Sequence, residues 1–253
     1  MTSLDKRRLV LDIETFSSVD ISSAGAFKYT ESPDFEILLV AYAWDDGPVQ
    51  VLDLTRDRPG FAQCEWLKIA EALLDPSVVK VAHNCAFERA ALSRYLYRDL
   101  PPEEWEDTMV LAAYNGLPLS LDGAGAALGL RNQKIKEGSA LIRYFCQPCK
   151  PTKANGQRTR NLPVHAPDKW ARFVEYCGRD VEVAQAIYAH LGSTPVTPFE
   201  RRIFALDARI NERGVLVDLE LARAAVAVDE AFTAELREEM QRLTGLENPN
   251  SVV

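Results

Sequence analysis

The chain has 253 residues, of which 47% are hydrophobic and 26% charged, so it can bury a sizeable core. Its formal net charge of −8 argues against binding nucleic acid through bulk charge alone. No apolar run is long enough to span a membrane, and the N-terminal MTSLDKRR does not lead into a signal-peptide core. We therefore expect a cytoplasmic protein with no membrane partner.

The first predicted strand covers residues 8–14 and contains two carboxylates in the run LVLDIETF. Residues two apart in a strand point to the same face, so Asp12 and Glu14 project together while Ile13 enters the core. Two adjacent carboxylates repel each other, and a divalent cation such as Mg²⁺ or Mn²⁺ would remove that conflict. Strand ends also often carry two acids in solvent, so the pair alone leaves both interpretations open.

The next segments predict a hairpin, a helix, a strand and another helix, in that order. Strands at 36–46 and 49–54 are separated by the turn residues Asp-Asp-Gly-Pro, helical periodicity covers 62–74, and an apolar strand at 78–84 leads into a helix at about 86–98. Strands followed by strand–helix alternation are typical of an α/β domain with a mixed sheet.

The junction between the strand at 78–84 and its helix carries Asn84, Phe87 and Glu88. A carboxylate in the first turn of a helix is favoured by the helix dipole, which explains Glu88 without any function. The alternative is that Glu88 points into the same cleft as the acids of the first strand. For Phe87 a role in the core is slightly favoured over contact with a ligand, and both stay open.

Further helices are predicted at 107–115 and 120–130, and residues 138–167 then contain no Asp or Glu. That window includes an irregular loop rich in Pro and Gly, and the rest of the chain carries −13. A locally basic strip on an acidic protein is a candidate phosphate contact, although a solvated basic loop is an equal alternative. The basic residues of the window are Arg143, Lys150, Lys153, Arg158 and Arg160.

The five cysteines are scattered and odd in number, which favours reduced thiols. Cys146 and Cys149 form a CxxC, but a zinc site would require a second ligand pair at suitable spacing, and His165 stands alone nearby. We therefore interpret them as ordinary thiols in a loop.

A long helix is predicted from Pro167 to about Leu191, and it places Tyr176 and Asp180 four residues apart on one face. An Asp on an apolar stripe requires a partner, whereas the Tyr alone would be explained as a core aromatic. The segment GSTPVTP at 192–198 is the best domain boundary, and helices follow at about 199–213 and 219–244.

Together, these motifs resemble those of the DnaQ-like, RNase H-fold 3′–5′ exonucleases. The DxE of Asp12 and Glu14, the Nx₂F of Asn84 and Phe87 followed by Glu88, and the YxxxD of Tyr176 and Asp180 occur in the family's order. The Tyr places the chain in the DEDDy branch, and residues 106–130 resemble proofreading domains of family A DNA polymerases and RNase D. The family usually has Asp where this chain has Glu88.

The resemblance, which covers roughly residues 6–191, implies an RNase H-like mixed five-stranded sheet flanked by helices and followed by a helical C-terminal extension. It implies a catalytic set that binds two Mg²⁺ or Mn²⁺ ions and releases 5′-mononucleotides from a single-stranded DNA 3′ end. The implied ligands of the ions are Asp12, Glu14, Glu88 and Asp180, with Tyr176 orienting the attacking water. The implied substrate contacts are Thr15, Asn84, Phe87, Lys150, Lys153, Arg158 and Arg160.

The C-terminal part resembles the linker into the thumb of family A polymerases, notably in 204–226 and 245–253. We therefore expect an exonuclease domain at 1–192 and, at 193–253, a helical linker with a truncated start of the thumb region. The implied source is a phage or prophage DNA polymerase that acts in the cytoplasm of a bacterial or phage-infected host. The implied partner is a polymerase domain of the same full-length chain, and we expect a monomer.

Three other functions stay open at this level. An RNase D-like RNA-trimming exonuclease would carry the same motifs, and the C-terminal resemblance favours DNA over RNA. A non-catalytic nucleic-acid-binding domain with a decayed site is supported only by Glu88. A metal-dependent phosphohydrolase acting on small substrates is weakly opposed by the basic loop.

Overall fold

A five-stranded mixed sheet organises the chain in the computed structural model, which describes residues 7–55, 61–130 and 137–250. The strand order is β3-β2-β1-β4-β5, with β1 antiparallel to β2, β2 antiparallel to β3, and β1, β4 and β5 parallel. The five-stranded mixed sheet and the hairpin expected from the sequence are confirmed. The strands are β1 (Arg8–Phe16), β2 (Glu36–Trp44), β3 (Gln50–Asp53), β4 (Val79–Ala82) and β5 (Trp105–Asp107).

Helices flank this sheet, and the chain continues in helices after α7. They are α1 (Ile21–Glu31), α2 (Phe61–Leu74), α3 (Ala86–Leu96), α4 (Thr108–Tyr114), α5 (Leu121–Ala127), α6 (Gly138–Phe145), α7 (Pro167–Leu191), α8 (Pro198–Arg213) and α9 (Leu219–Thr244). Sequence periodicity did not predict α1 or α6. In α1 the pattern is interrupted at Gly25, whose φ of 78° separates two helical turns.

The sheet buries a separate hydrophobic cluster on each face, as the alternation along β1 requires. Leu9, Leu11 and Ile13 belong to the cluster that includes residues of α2 and α3. Val10 and Phe16 belong to the cluster that includes α6 and α7. Asp12 and Glu14 alternate with the first set, so they lie on the face that α7 covers, and Ile13 is opposite them as predicted.

The long helix α7 is the element that completes the acidic face of the sheet. It has 25 residues, and its buried stripe includes Phe173, Tyr176, Cys177 and Asp180. A β-bulge between Glu14 and Thr15 shifts the pairing of β1 with β2 where the acids end. Bulges of this kind re-aim side chains at the end of a strand.

The chain divides into two units, of which the first ends at Ala208 and the second begins at Arg209. In the second unit, α9 begins at the N-cap Asp218, whose carboxylate accepts from the backbone N–H groups of Glu220 and Leu221, and ends at the left-handed Gly245. The predicted helices at 199–213 and 219–244 are confirmed, while the boundary at 192–193 stays a prediction. The final residues of the predicted thumb segment, 251–253, lie outside the described residues.

Within the described ranges, no helix combines the length and the apolar character that a bilayer crossing requires.

Candidate active site

Asp12 and Glu14 form the centre of the candidate site, in the middle of the buried sheet. Asp12 is half-buried and Glu14 is 8% exposed. With Cys177 of α7 they can each offer one ligand atom, and these three atoms lie within 4.8 Å of one another. The sequence singled out the two acids but gave no reason to group Cys177 with them, because its proximity arises only when α7 packs on β1.

Glu88 contributes a third carboxylate from the first turn of α3, where it is 4% exposed. Burial raises the pKa of Glu88 well above its ordinary value, and the negative charge of Asp12 adds to the shift. Its Oε2 atom is buried and has no hydrogen-bond partner among the described residues. The Glu88 carboxylate is therefore close enough to Asp12 to interact with its charge, and a cation at Oε2 would compensate its burial.

Tyr176 and Asp180 lie on successive turns of α7 and are both buried. The Tyr176 hydroxyl donates a hydrogen bond to the Asp180 carboxylate. Burial, followed by the charges of Asp180 and Glu14, raises the pKa of the Tyr176 phenol far above its usual range. The phenol is therefore a neutral hydrogen-bond donor at the edge of the acidic cluster.

The β4–α3 turn that precedes Glu88 is held by a carboxylate from the next strand. Asp107 at the end of β5 accepts from the backbone N–H groups of Asn84 at 2.9 Å, Cys85 at 2.8 Å and Met109 at 2.8 Å. Asn84 is exposed and has a φ of 63°, so the turn is in a conformation that non-glycine residues seldom adopt. The sequence did not identify Asp107, although an Asp before a helix is a recognisable N-cap signal.

A cavity of about 510 Å³ opens beside Glu14 and extends along the end of β1. Thr15 of β1, the half-buried Phe87 of α3 and Cys146 at the end of α6 are among the residues that line it. Phe87 also packs against the hydrophobic cluster of α2 and α3, so it belongs both to the core and to the cavity wall. The Cys146 thiol lies 3.8 Å from Oε2 of Glu14, and burial raises the pKa of this thiol well above its ordinary value.

The basic loop contains two kinds of cation. Lys150 and Lys153 are exposed. Arg158 instead donates to Oδ1 of Asn161 at 2.8 Å and to the carbonyl oxygen of Asn155 at 3.1 Å.

Arg160 pairs with Glu36 at 2.5 Å, and its guanidinium lies 3.8 Å from the ring centre of Phe16. Arg158 and Arg160 therefore hold the loop in place, and the exposed lysines are the ones available to a phosphate. All five cysteines are free thiols; that of Cys149 contacts the carbonyl oxygen of Arg158.

Comparison with known proteins identifies both a relative and the fold. No family model matches the chain. A DNA polymerase of Bacillus phage SP02 is 49% identical over 247 residues, which are 97% of this chain and 37% of the relative. The chain thus spans little more than a third of the length of that polymerase.

Two solved structures carry the fold assignment. RNase D of Trypanosoma brucei has a TM-score of 0.52 and 19% identity, over 86% of this chain and 70% of that structure. NrnC of Brucella melitensis has a TM-score of 0.51 and 15% identity, over 84% of this chain and 88% of that structure. The chain is therefore a homologue of part of a phage DNA polymerase, with the RNase H-like fold that RNase D and NrnC share.

Proposed function

We propose that the chain is the 3′–5′ proofreading exonuclease domain of a DNA polymerase, using two divalent metal ions. The observation that carries the proposal is the clustering of carboxylates from three separate segments around Asp12 and Glu14. Asp12 and Glu14 come from β1, Glu88 from α3, and Asp180, with Tyr176, from α7. A stable fold does not require such repulsion, because apolar side chains would fill the same space at lower cost.

The donor set fits hard divalent cations. The described acids offer carboxylate oxygens, which Mg²⁺ and Mn²⁺ prefer. Burial and then the negative charge of Asp12 raise the pKa of Glu88, a cost that a cation would relieve, and its buried Oε2 lacks a hydrogen-bond partner among the described residues. Asp12, Glu14, Glu88 and Asp180 would hold the ions, and Glu88 reaches one methylene farther than the Asp that is usual in the family.

The expected reaction is hydrolysis of the last phosphodiester bond. Bound metal ions would activate the attacking water and stabilise charge on the attacking and leaving oxygens. Tyr176, fixed by its hydrogen bond to Asp180, would orient the water by accepting or sharing a hydrogen bond at its hydroxyl. The water oxygen bonds to phosphorus, the bond to the 3′ oxygen of the penultimate nucleotide breaks, and that oxygen takes up a proton. The product is a 5′-mononucleotide.

The cavity beside Glu14 is where we place the terminal nucleotide. Thr15 and Phe87 line it, and Asn84 lies exposed at the turn before α3. Lys150 and Lys153 would contact phosphates of the preceding nucleotides. The partner we propose for this domain is a polymerase domain in the remainder of a longer chain, since the phage relative is much longer than this one.

A second candidate is an RNase D-like exoribonuclease, which the structural similarity to Trypanosoma brucei RNase D favours. The relative at 49% identity is a DNA polymerase, so DNA is the substrate we propose. Rates on single-stranded DNA and RNA of the same sequence distinguish the two. A faster reaction on RNA would replace the first candidate by the second.

The test of the proposed function is degradation of a 5′-labelled single-stranded DNA with Mg²⁺ or Mn²⁺. We expect a ladder that shortens from the 3′ end, is lost with EDTA and is lost in Asp12→Ala. Asp122→Ala removes an exposed acid in the first turn of α5 and should cleave like the wild type. DNA binding without cleavage by the wild type would instead indicate a non-catalytic domain.

A further inference from the structure

A strap formed by residues 17–31, which includes α1, covers one side of the cavity beside Glu14. Its Tyr29 side chain is 5% exposed and lines the cavity. Ser17 Oγ donates to the carbonyl oxygen of Tyr29 at 3.0 Å, and the N–H of Val19 donates to Ser17 Oγ at 3.2 Å. The N–H of Ser18 donates to the Asp34 carboxylate at 3.1 Å. These hydrogen bonds therefore anchor both ends of the strap and hold Tyr29 in position.

Tyr29 contacts two walls of the cavity that belong to different elements. Its hydroxyl and the Thr15 hydroxyl form a buried hydrogen bond of 2.9 Å. Its ring lies 5.9 Å from the ring of Phe87, at an interplanar angle of 59°. Thr15 follows Glu14 on β1, and Phe87 precedes Glu88 on α3, so each contact is made one residue away from a carboxylate of the site.

This arrangement makes Tyr29 the common neighbour of the two walls. The Thr15 hydroxyl can rotate freely unless a partner holds it, and the Phe87 ring can tilt unless a neighbour packs against it. Burial raises the pKa of Tyr29 to about 12, so its hydroxyl stays neutral at any ordinary assay pH. One side chain thus fixes a polar and an aromatic group that face the same 510 Å³ cavity.

We propose that Tyr29 is a positioning residue for the 3′-terminal nucleotide, holding the Thr15 hydroxyl and the Phe87 ring at the separation that the nucleotide requires. The inference rests on the proposed exonuclease function. Because Tyr29 acts on the walls of the cavity, its loss weakens substrate binding more than it slows the chemical step.

The test compares Tyr29→Phe, which keeps the ring and removes the hydroxyl, with the wild type on single-stranded DNA. We expect KM to rise about five- to tenfold, because one buried hydrogen bond is lost, while kcat stays within about twofold of the wild-type value. Tyr42→Phe is the matched control, because Tyr42 is also buried and its hydroxyl bonds Gln50 and Glu65. An unchanged KM in Tyr29→Phe, or the same rise in Tyr42→Phe, overturns the inference.

A double-mutant cycle with Thr15→Val distinguishes an effect of the Tyr29–Thr15 hydrogen bond on KM from an effect of lower protein stability. If Tyr29 acts through the Thr15 hydroxyl, the double variant has the KM of Thr15→Val alone, because Tyr29→Phe has no further effect once that hydroxyl is absent. It also leaves neither hydroxyl buried without its partner, so it should fold as stably as the wild type within about 1 kcal/mol. Effects on KM that multiply would show that the two groups act independently and would overturn the inference.

The proposed function and this inference fail in different ways. Absence of cleavage by the wild type contradicts the proposed function, and fluorescence anisotropy with labelled single-stranded DNA then compares the affinities of wild type and Tyr29→Phe directly. Normal cleavage with equal KM values contradicts the inference alone. Weaker binding by Tyr29→Phe supports the inference in either case.

Discussion

Gly138 at the start of α6 lies directly against the ring of Tyr176 on α7. A Cβ atom at position 138 would be 2.7 Å from Cδ2 and from Cζ of that ring, and closer still to Cε2. The ring is buried and stacks on Phe173 with centroids 6.1 Å apart, so it has no open space into which to retreat. Glycine at this position is what allows α6 to approach the proposed catalytic tyrosine.

We therefore predict that Gly138→Ala lowers kcat by about tenfold or more, because the Tyr176 hydroxyl is pushed away from the position in which it orients water. Overpacking should also cost about 1–3 kcal/mol of stability. Single-turnover cleavage and thermal unfolding measure the two effects. Ser139→Ala changes the neighbouring exposed residue of the same helix and should alter neither; equal kcat values for the two variants would contradict the proposed packing constraint.

A second prediction concerns the stability of the metal-free protein. The folded pKa of Glu88 is raised above its unfolded value of about 4.5, so the folded state binds the proton more tightly than the unfolded state. Stability contributed by the protonated group is complete below about pH 4.5 and is lost as pH rises toward the folded pKa, by about 1.4 kcal/mol per pH unit. Glu88→Gln removes this loss, so we expect the variant to be more stable than the wild type at pH 8 and nearly equal to it at pH 4.

Chemical denaturation in EDTA at both pH values measures this difference, and the comparison with Glu88→Gln cancels the titration of other groups. Addition of Mg²⁺ at pH 8 should stabilise the wild type more than the variant, because the wild type offers one more carboxylate to the ions. A wild-type protein that is more stable than Glu88→Gln in EDTA at pH 8 would rule out the raised pKa that burial and the charge of Asp12 give Glu88.

The acids and Tyr176 could be predicted from sequence because regular elements carry them. A period of two places Asp12 and Glu14 on one face of a strand, and a spacing of four places Tyr176 and Asp180 on one face of a helix. Both patterns can be recognised in the sequence without any knowledge of the neighbouring elements. The fold class followed from the same strands and helices.

Other parts of the site depend on distant segments, so no local pattern could reveal them. Tyr29 lies in a helix whose periodicity breaks at Gly25. Asp107 ends a strand of three residues, which is too short for alternation to be recognised. Cys177 and Arg160 acquire their neighbours only when α7 and the basic loop pack on β1.

A third prediction follows from the role of Asp107. In Asp107→Asn the amide group replaces one accepting oxygen, so at least one backbone N–H of the β4–α3 turn or of α4 loses its partner. We expect a loss of about 1–3 kcal/mol in stability and a higher Mg²⁺ concentration for half-maximal cleavage, because Glu88 is displaced with the turn. Ser120→Ala, which removes the N-cap of α5, should cost about 1 kcal/mol and leave the Mg²⁺ dependence unchanged. The same Mg²⁺ shift in both variants would assign Asp107 a purely structural role.

The fourth prediction separates the structural role of Arg160 from a contact with DNA. Arg160→Glu loses the stacking on Phe16 and faces Glu36 with like charge, so we expect a loss of about 1 kcal/mol in stability, a small value because both groups are partly exposed. Adding Glu36→Arg reverses the charges of the pair. The double variant should therefore recover most of the stability lost in Arg160→Glu and have a KM close to that of the wild type. Restored stability with a KM that stays high would mean that Arg160 contacts the DNA itself.

The last prediction assigns the phosphate contacts to Lys150 and Lys153. Both side chains are exposed, so their reversal to Glu should leave the free energy of unfolding unchanged and raise KM more than it lowers kcat. Each contact that is lost should reduce the slope of log affinity against log salt by about 0.7, the value for single strands. Arg98→Glu with Arg202→Glu makes the same change in net charge at other exposed positions, and its KM should move much less. Equal KM values and salt slopes in the two double variants would attribute the effect to net charge. If the lysine variant instead has the KM of the wild type, the basic loop is not part of the DNA-binding surface.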